Sequence, residues 1–147
     1  MKINFSEKHR DLGLLIIRLG LGISFIFIHG LPKIKGGPEL WLRLGKSMSN
    51  LGINFLPEFW GFMSAFSEFV IPVFIITGLF FRPALLLIAF TMFVAMLLHL
   101  TNMDPWLKVA YPMELLFVFA GLFLIGPGRF SLDHKFRKKT CSSDKWS

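Results

Sequence analysis

Cysteine is nearly absent from this chain: Cys141 stands alone, so no disulfide can form within it, and the paired-thiol chemistry of membrane disulfide oxidoreductases is excluded. Tyrosine occurs once, and charged residues make up only 17% of the 147 positions. Phosphate-cradling loops and nucleophile elbows are lacking, and the Gly-Pro-Gly at 126–128 reads as a helix stop. Nothing in the sequence names a haem, flavin or iron–sulfur site.

What is abundant is grease. Hydrophobic residues reach 54% and aromatics 16%, with 18 phenylalanines, against the ~45–50% apolar content of a soluble domain. A water-soluble core cannot use the excess, and one membrane domain is the natural reading. The formal charge of +7 does not indicate nucleic acid, because the basic residues gather at the ends of apolar runs and in the tail, without an aromatic-basic surface motif.

Four apolar runs can cross a ~30 Å hydrocarbon layer at ~1.5 Å rise per residue. The first runs from about Asp11 to Leu31 and is closed by Pro32 and Gly36-Gly37-Pro38. It carries Arg18, is too long for a signal-peptide core and lacks a small-residue cleavage pattern, so it is expected to stay as a helix. The second spans Pro57 to Phe81 and the third Pro83 to Asn102, with Arg82-Pro83 as the turn between them. The fourth is placed from Pro105 to about Ile125, with Asp104 as N-cap and Pro105 as the first helical position. Met92, Met96 and Met103 read as packing residues of the third helix.

Between the first two spans, Trp41, Leu44, Met48 and Leu51 share one helical face, opposite Glu39, Arg43, Lys46, Ser47 and Asn50. This amphipathic helix is too short to span and is expected at the membrane interface, where Trp41, Trp60 and Trp106 would form an aromatic belt. The fold class is therefore an all-α membrane protein: a four-transmembrane-helix bundle with a short interfacial amphipathic helix between helices 1 and 2. Residues 1–133 form the membrane domain, and 134–147 a basic tail of disorder-prone composition. Lys2, Lys8, Arg10, Arg82, Arg129, Lys135, Arg137, Lys138, Lys139 and Lys145 fall on one side, against Lys33, Lys35, Arg43, Lys46 and Lys108 on the other, which favours cytoplasmic termini.

Five ionisable groups, Arg18, His29, Glu68, His99 and Glu114, lie within or at the edge of the spans. A central charge costs ~2.5–3.5 kcal/mol on translocon scales, so each should face the bundle interior or a wet cavity. Arg18, Gly22 and His29 project from one face of an ideal first helix. Counted from the span ends, Arg18, Glu68 and Glu114 reach the middle third, His29 and His99 stay near the outer mouth, and an Arg18–Glu68 ion pair is possible. Such groups are either structural glue between helices or functional. One arginine cannot balance two carboxylates, so Glu68 or Glu114 is expected to hold a transferable proton. Pro72, four residues after Glu68, and Pro112, two before Glu114, set irregular backbone beside both acids. His29, His99 and Glu114 have the chemistry of metal ligands but no checkable spacing, so no metal is assigned. His9 and His134 read as surface residues.

Arg18-Leu19-Gly20-Leu21-Gly22, His29-Gly30, Lys33 and the closing Gly126-Pro127-Gly128-Arg129-Phe130-Ser131-Leu132-Asp133 together resemble the DoxX family of small bacterial membrane proteins, from Asp11 to Asp133. The resemblance implies four membrane helices in a family that includes a subunit similar to the membrane part of thiosulfate:quinone oxidoreductase. It marks Arg18, His29, Lys33 and Glu68 as the polar positions, with Arg129 and Asp133 structural, and it implies the bacterial inner membrane. The chain has neither the cysteines nor a second domain to handle sulfur by itself, so such chemistry needs a partner.

The expectation is a redox-associated subunit binding a quinone in an interior polar cluster. Glu68 and Glu114 are its candidate proton carriers, and Arg18, His29, Lys33 and His99 its candidate quinone-binding residues. Its partners would be the lipid bilayer and either another protein or further copies of the chain. Two alternatives are a noncatalytic membrane scaffold and an oligomeric small-molecule transporter.

Overall fold

Helix forms wherever the chain is continuously apolar, and its irregularities fall at proline and glycine. In the computed structural model, which describes residues 5–143, no strand occurs among the described residues. Helix α1 (Phe5–Ser24) continues through a π-helical segment (Phe25–Gly30) into α2 (Leu31–Lys35). Gly37, at φ 67°, turns the chain into α3 (Gly37–Gly45) and a 3-10 turn (Lys46–Leu51). Then follow α4 (Pro57–Phe69), α5 (Ile71–Thr77), α6 (Phe81–Thr101), α7 (Trp106–Ile125) and α8 (Leu132–Ser143).

Four stretches, Glu7–Lys35, Pro57–Thr77, Phe81–Thr101 and Trp106–Ile125, are long and apolar enough to cross a membrane. Only 22–39% of the residues in their most apolar windows are buried by the protein itself, which leaves the rest of that surface to lipid. The chain is a multi-pass all-α membrane protein. Its core, including Phe25, Ile75, Phe81, Leu85, Ile88 and Phe119, lies where α5, α6 and α7 meet the first span.

Several boundaries differ from the sequence reading, each for a local reason. Pro32 does not close the first span. The Leu31 amide donates to the carbonyl of Ile26, a π-type bond one residue ahead of the proline, and the widened turn gives the ring room to continue the helix. The turn between the second and third spans lies at Gly78–Phe80, where Gly78 and Phe80 take positive φ, and not at Arg82-Pro83. Pro83 falls in the first turn of α6, where its missing N–H costs nothing. Pro105 is the N-cap of α7 and not its first helical residue. Met103 lies beyond α6 and is exposed, so it packs nothing. The start of the basic tail is helical as α8, while Lys2, Lys145 and the Cys141 side chain lie outside the described residues.

The amphipathic segment packs its backbone on α4. A Cβ on Gly45 would run into the Pro57 carbonyl and one on Gly61 into the Trp41 backbone, so the two glycines allow a crossing that no other residue would. This loop end of the bundle also holds residues 102–105. At the opposite, terminal end, the start of α1 meets the segment after α7: the Arg129 guanidinium donates to Glu7 at 2.8 Å and lies 3.7 Å from Asp11.

Candidate functional site

Arg18 is spent on backbone. Its Nε donates to the Ile75 carbonyl at 2.8 Å and its Nη2 to that of Ile76 at 2.6 Å, two acceptors that α5 leaves without helical donors. Nη1 donates to the carbonyls of Pro127 at 2.7 Å and Phe130 at 3.2 Å, tying the Gly-Pro-Gly turn to the end of α5. The side chain is 1% exposed, and its guanidinium also lies over the Phe81 ring. Its position beside the last turn of α5 puts it at the terminal end, so the Arg18–Glu68 pair does not form. Asp133 completes this end, its two carboxylate oxygens accepting the amides of Phe80 and Phe81 at 3.0 Å each and capping α6.

The π segment decides where His29 goes. Its wider turns shift the phase of every residue beyond them, so His29 leaves the face that Arg18 and Gly22 turn toward α5. Instead its Nε2 lies 2.6 Å from the Tyr111 hydroxyl of α7, joining the first and fourth spans. Gly30 presses against the backbone of Glu68 and Phe69, where a Cβ would not fit. There the second span breaks: Val70 separates α4 from α5, because Pro72 cannot donate to the Glu68 carbonyl.

Glu68 lies at this break, 1% exposed. Its partner is Lys33, whose Nζ is 2.6 Å from Oε1 and 2.5 Å from Oε2. The ion pair is held, yet Oε2 lacks a well-directed hydrogen bond and keeps acceptor capacity. Both residues line a cavity of about 250 Å³ where α4 and α6 splay apart under the 3-10 turn. Its walls are chiefly apolar, with Met63, Phe66, Ile71 and Leu98 among them. Its polar groups are few: the Lys33–Glu68 pair, Ser47, Ser64, a Ser67–Thr91 hydrogen bond of 2.9 Å, and Trp60, whose buried indole N–H has no acceptor among the described residues. Leu87 and Phe90, half-exposed on the outer face of α6, form part of the wall, so the cavity borders the lipid-facing surface.

Of the sequence candidates, only Lys33 and Glu68 meet there. His99 lies at the loop end, its Nδ1 2.9 Å from Asp104, which also accepts from Lys108 at 3.2 Å. The two hydrogen bonds hold the Asp104 carboxyl below its ordinary value of 3.8. Glu114 points outward from the middle of α7 and makes no hydrogen bond or ion pair among the described residues. No group of three His, Cys, Asp or Glu side chains that could hold a metal exists among the described residues.

Ser67 and Thr91 escaped the sequence reading, and Trp60 entered it only as an interfacial residue. Trp60, Ser64, Ser67 and Glu68 recur at three- and four-residue steps, a narrow polar stripe on an apolar helix that periodicity could have shown. Trp60, read as part of an interfacial belt, also lines the cavity, and its buried indole N–H finds no acceptor among the described residues.

No curated protein and no solved structure matches the chain. A family model described as DoxX matches residues 13–101, which cover Arg18, the π segment, Lys33, the cavity and the break at Val70. The chain belongs to the DoxX family.

Proposed function

We propose that the cavity between α4 and α6 holds the ring of a quinone and that the chain is a redox-associated membrane subunit. The observation that carries this reading is that two residues lining one mostly apolar cavity, Trp60 and Glu68, each hold a buried polar atom, an indole N–H and a carboxylate oxygen, without a hydrogen-bond partner among the described residues. A cavity of about 250 Å³ lies just under the ~300–1,000 Å³ of drug-sized pockets and suits a single-ring head, with an isoprenoid tail left in the lipid beside Leu87 and Phe90. Bound quinone supplies two-electron, two-proton redox chemistry within the membrane.

The chain's own groups bind, orient and pass protons. The Trp60 N–H donates to a ring oxygen. Glu68 exchanges a proton at its carboxyl, and the Lys33 ammonium orients that carboxyl and balances its charge. The apolar walls keep bulk water from the ring. Electrons enter or leave through a protein partner, and the clustering of Lys8, Arg10, Arg82, Arg129, Lys135 and Lys138 at the terminal end supports cytoplasmic termini in a bacterial inner membrane.

The test is lipid extraction from detergent-purified protein, with quinone quantified in wild type, Glu68→Gln, Trp60→Phe and the off-cavity variant Glu114→Gln. Near-stoichiometric quinone in wild type and Glu114→Gln, depleted in the other two, is the expected result. Wild-type protein that holds no quinone even after it is added back would leave the scaffold reading.

A further inference from the structure

Glu114 poses a problem that the single chain does not solve. It sits midway along α7, exposed on the outer surface, and no donor reaches it among the described residues. A carboxyl set against hydrocarbon costs free energy unless something hydrogen-bonds to it. Its neighbours say what could do so. Leu107, Tyr111, Glu114, Val118, Gly121 and Ile125 follow one another at alternating steps of four and three residues, and all lie within roughly 80° of arc at ~3.6 residues per turn. This is the a/d spacing that a left-handed helix pair uses. The seam borders the buried side of α7, which carries Val109, Pro112, Phe119 and Leu122; Tyr111, on its near edge, bonds His29 of the first span, while Leu107, Val118 and Ile125 are exposed along it.

Gly121 adds a notch to the seam: a Cβ built there meets nothing within 4 Å, so the space is open in the single chain. Small residues at such positions let two membrane helices approach closely. The occupant is argued from symmetry and hydrogen-bond chemistry. Two copies inserted in the same orientation and related by a two-fold axis along the membrane normal meet with identical residues at identical depth. A carboxyl group is self-complementary there, since its acid form donates to and accepts from its twin. One polar residue in an otherwise apolar seam is also the device that fixes register and partner number in helix pairs.

We infer that α7 is a homodimerisation helix, with two Glu114 side chains hydrogen-bonded to each other at the two-fold axis. The inference is independent of the cavity, which lies on the α4 and α6 side of the bundle.

The test uses the full-length chain in native membranes, with Cys141→Ser removing the only other thiol. Val118→Cys, on the seam and 41% exposed, is compared with Ile16→Cys, 61% exposed but on α1. Copper-phenanthroline oxidation should link two differently tagged copies through Cys at 118 and leave the α1 variant monomeric. Glu114→Gln, whose amide is also self-complementary, should keep the dimer, whereas Glu114→Leu should shift the monomer–dimer equilibrium by about threefold to fifteenfold toward monomer. Gly121→Leu, which fills open space in the monomer, should abolish cross-linking while membrane insertion persists. Equal cross-linking at positions 16 and 118, none at 118, or an adduct that contains another protein and no second tagged copy would overturn the inference.

Discussion

The terminal end of the bundle and the cavity near its loop end use buried charge in opposite ways. At the terminal end Arg18 reaches four carbonyls, Asp133 takes two amides, Ser131 bonds Gly128 at 2.7 Å, and Arg129 answers Glu7 and Asp11. These groups are spent on helix ends, a turn and opposite charges, and the small pocket beside them, lined by Asp11, Arg129 and Asp133, holds no unsatisfied buried side-chain polar atom among the described residues. At the cavity, Glu68 has one cation for two oxygens, Trp60 has a donor and no acceptor, and the neighbouring backbone is broken by a π segment and a proline. A saturated network is what folding leaves behind, while an unsaturated one within a cavity is a place for something else.

Replacing the saturated side should therefore unmake the fold, and replacing the other should not. The largest effect is expected for Arg18→Met, which strands four carbonyls at once and should cost roughly 4 kcal/mol or more, seen as lost expression and a lower melting temperature in detergent. Gly78→Ala comes next. Its φ of 66° resists a side chain, and the new Cβ would press on Ser131 and the Arg18 guanidinium, for a cost of about 2–3 kcal/mol in thermal unfolding. Glu68→Gln should keep the melting temperature within a few degrees of wild type while quinone content falls. A collapse of the fold in Glu68→Gln equal to that in Arg18→Met would erase the distinction between the two ends.

That distinction was only half legible in the sequence. Span number and approximate limits could be read because apolar runs of membrane length have few other uses, and Pro72 announced the break beside Glu68. The face assignment in the first span failed, because one ideal helical period was carried across Phe25–Gly30, where the chain is π-helical. Arg18 was counted at mid-depth as a partner for a carboxylate. A guanidinium has donors enough to be spent wholly on carbonyls, and no linear pattern reports carbonyls 57 to 112 residues away. Glu114 was expected inside on grounds of cost, and it lies exposed on α7 without a hydrogen bond or ion pair among the described residues.

A subtler change sharpens the cavity side. Trp60→Phe keeps an aromatic ring beside Phe55 and Phe59 but removes the five-membered ring and its N–H, a buried donor without an acceptor among the described residues. The lost volume and the lost unsatisfied N–H act in opposite directions, so stability should fall by no more than about 1–2 kcal/mol, while quinone binding weakens by about fivefold, the worth of one neutral hydrogen bond. Wild-type affinity together with lowered stability would mean that the indole serves packing and not the ligand.

The smallest expected effect lies between the two regimes, at the loop joining α6 and α7. Asp104 is hydrogen-bonded by His99 and Lys108, and those bonds lower its carboxyl below 3.8. A carboxylate whose folded value is depressed stabilises above its unfolded value and loses that contribution as pH falls through the folded one. The connection at residues 102–105 should therefore be fully ordered above about pH 4 and loosen only below it, with the rest of the bundle unaffected. Hydrogen exchange of the 99–108 amides across pH 3 to 6, corrected for intrinsic rates, reads this directly, and Asp104→Asn should flatten the profile. Unchanged protection down to pH 3 in the wild type would show that the helix ends, capped by backbone alone, hold the loop without the carboxylate.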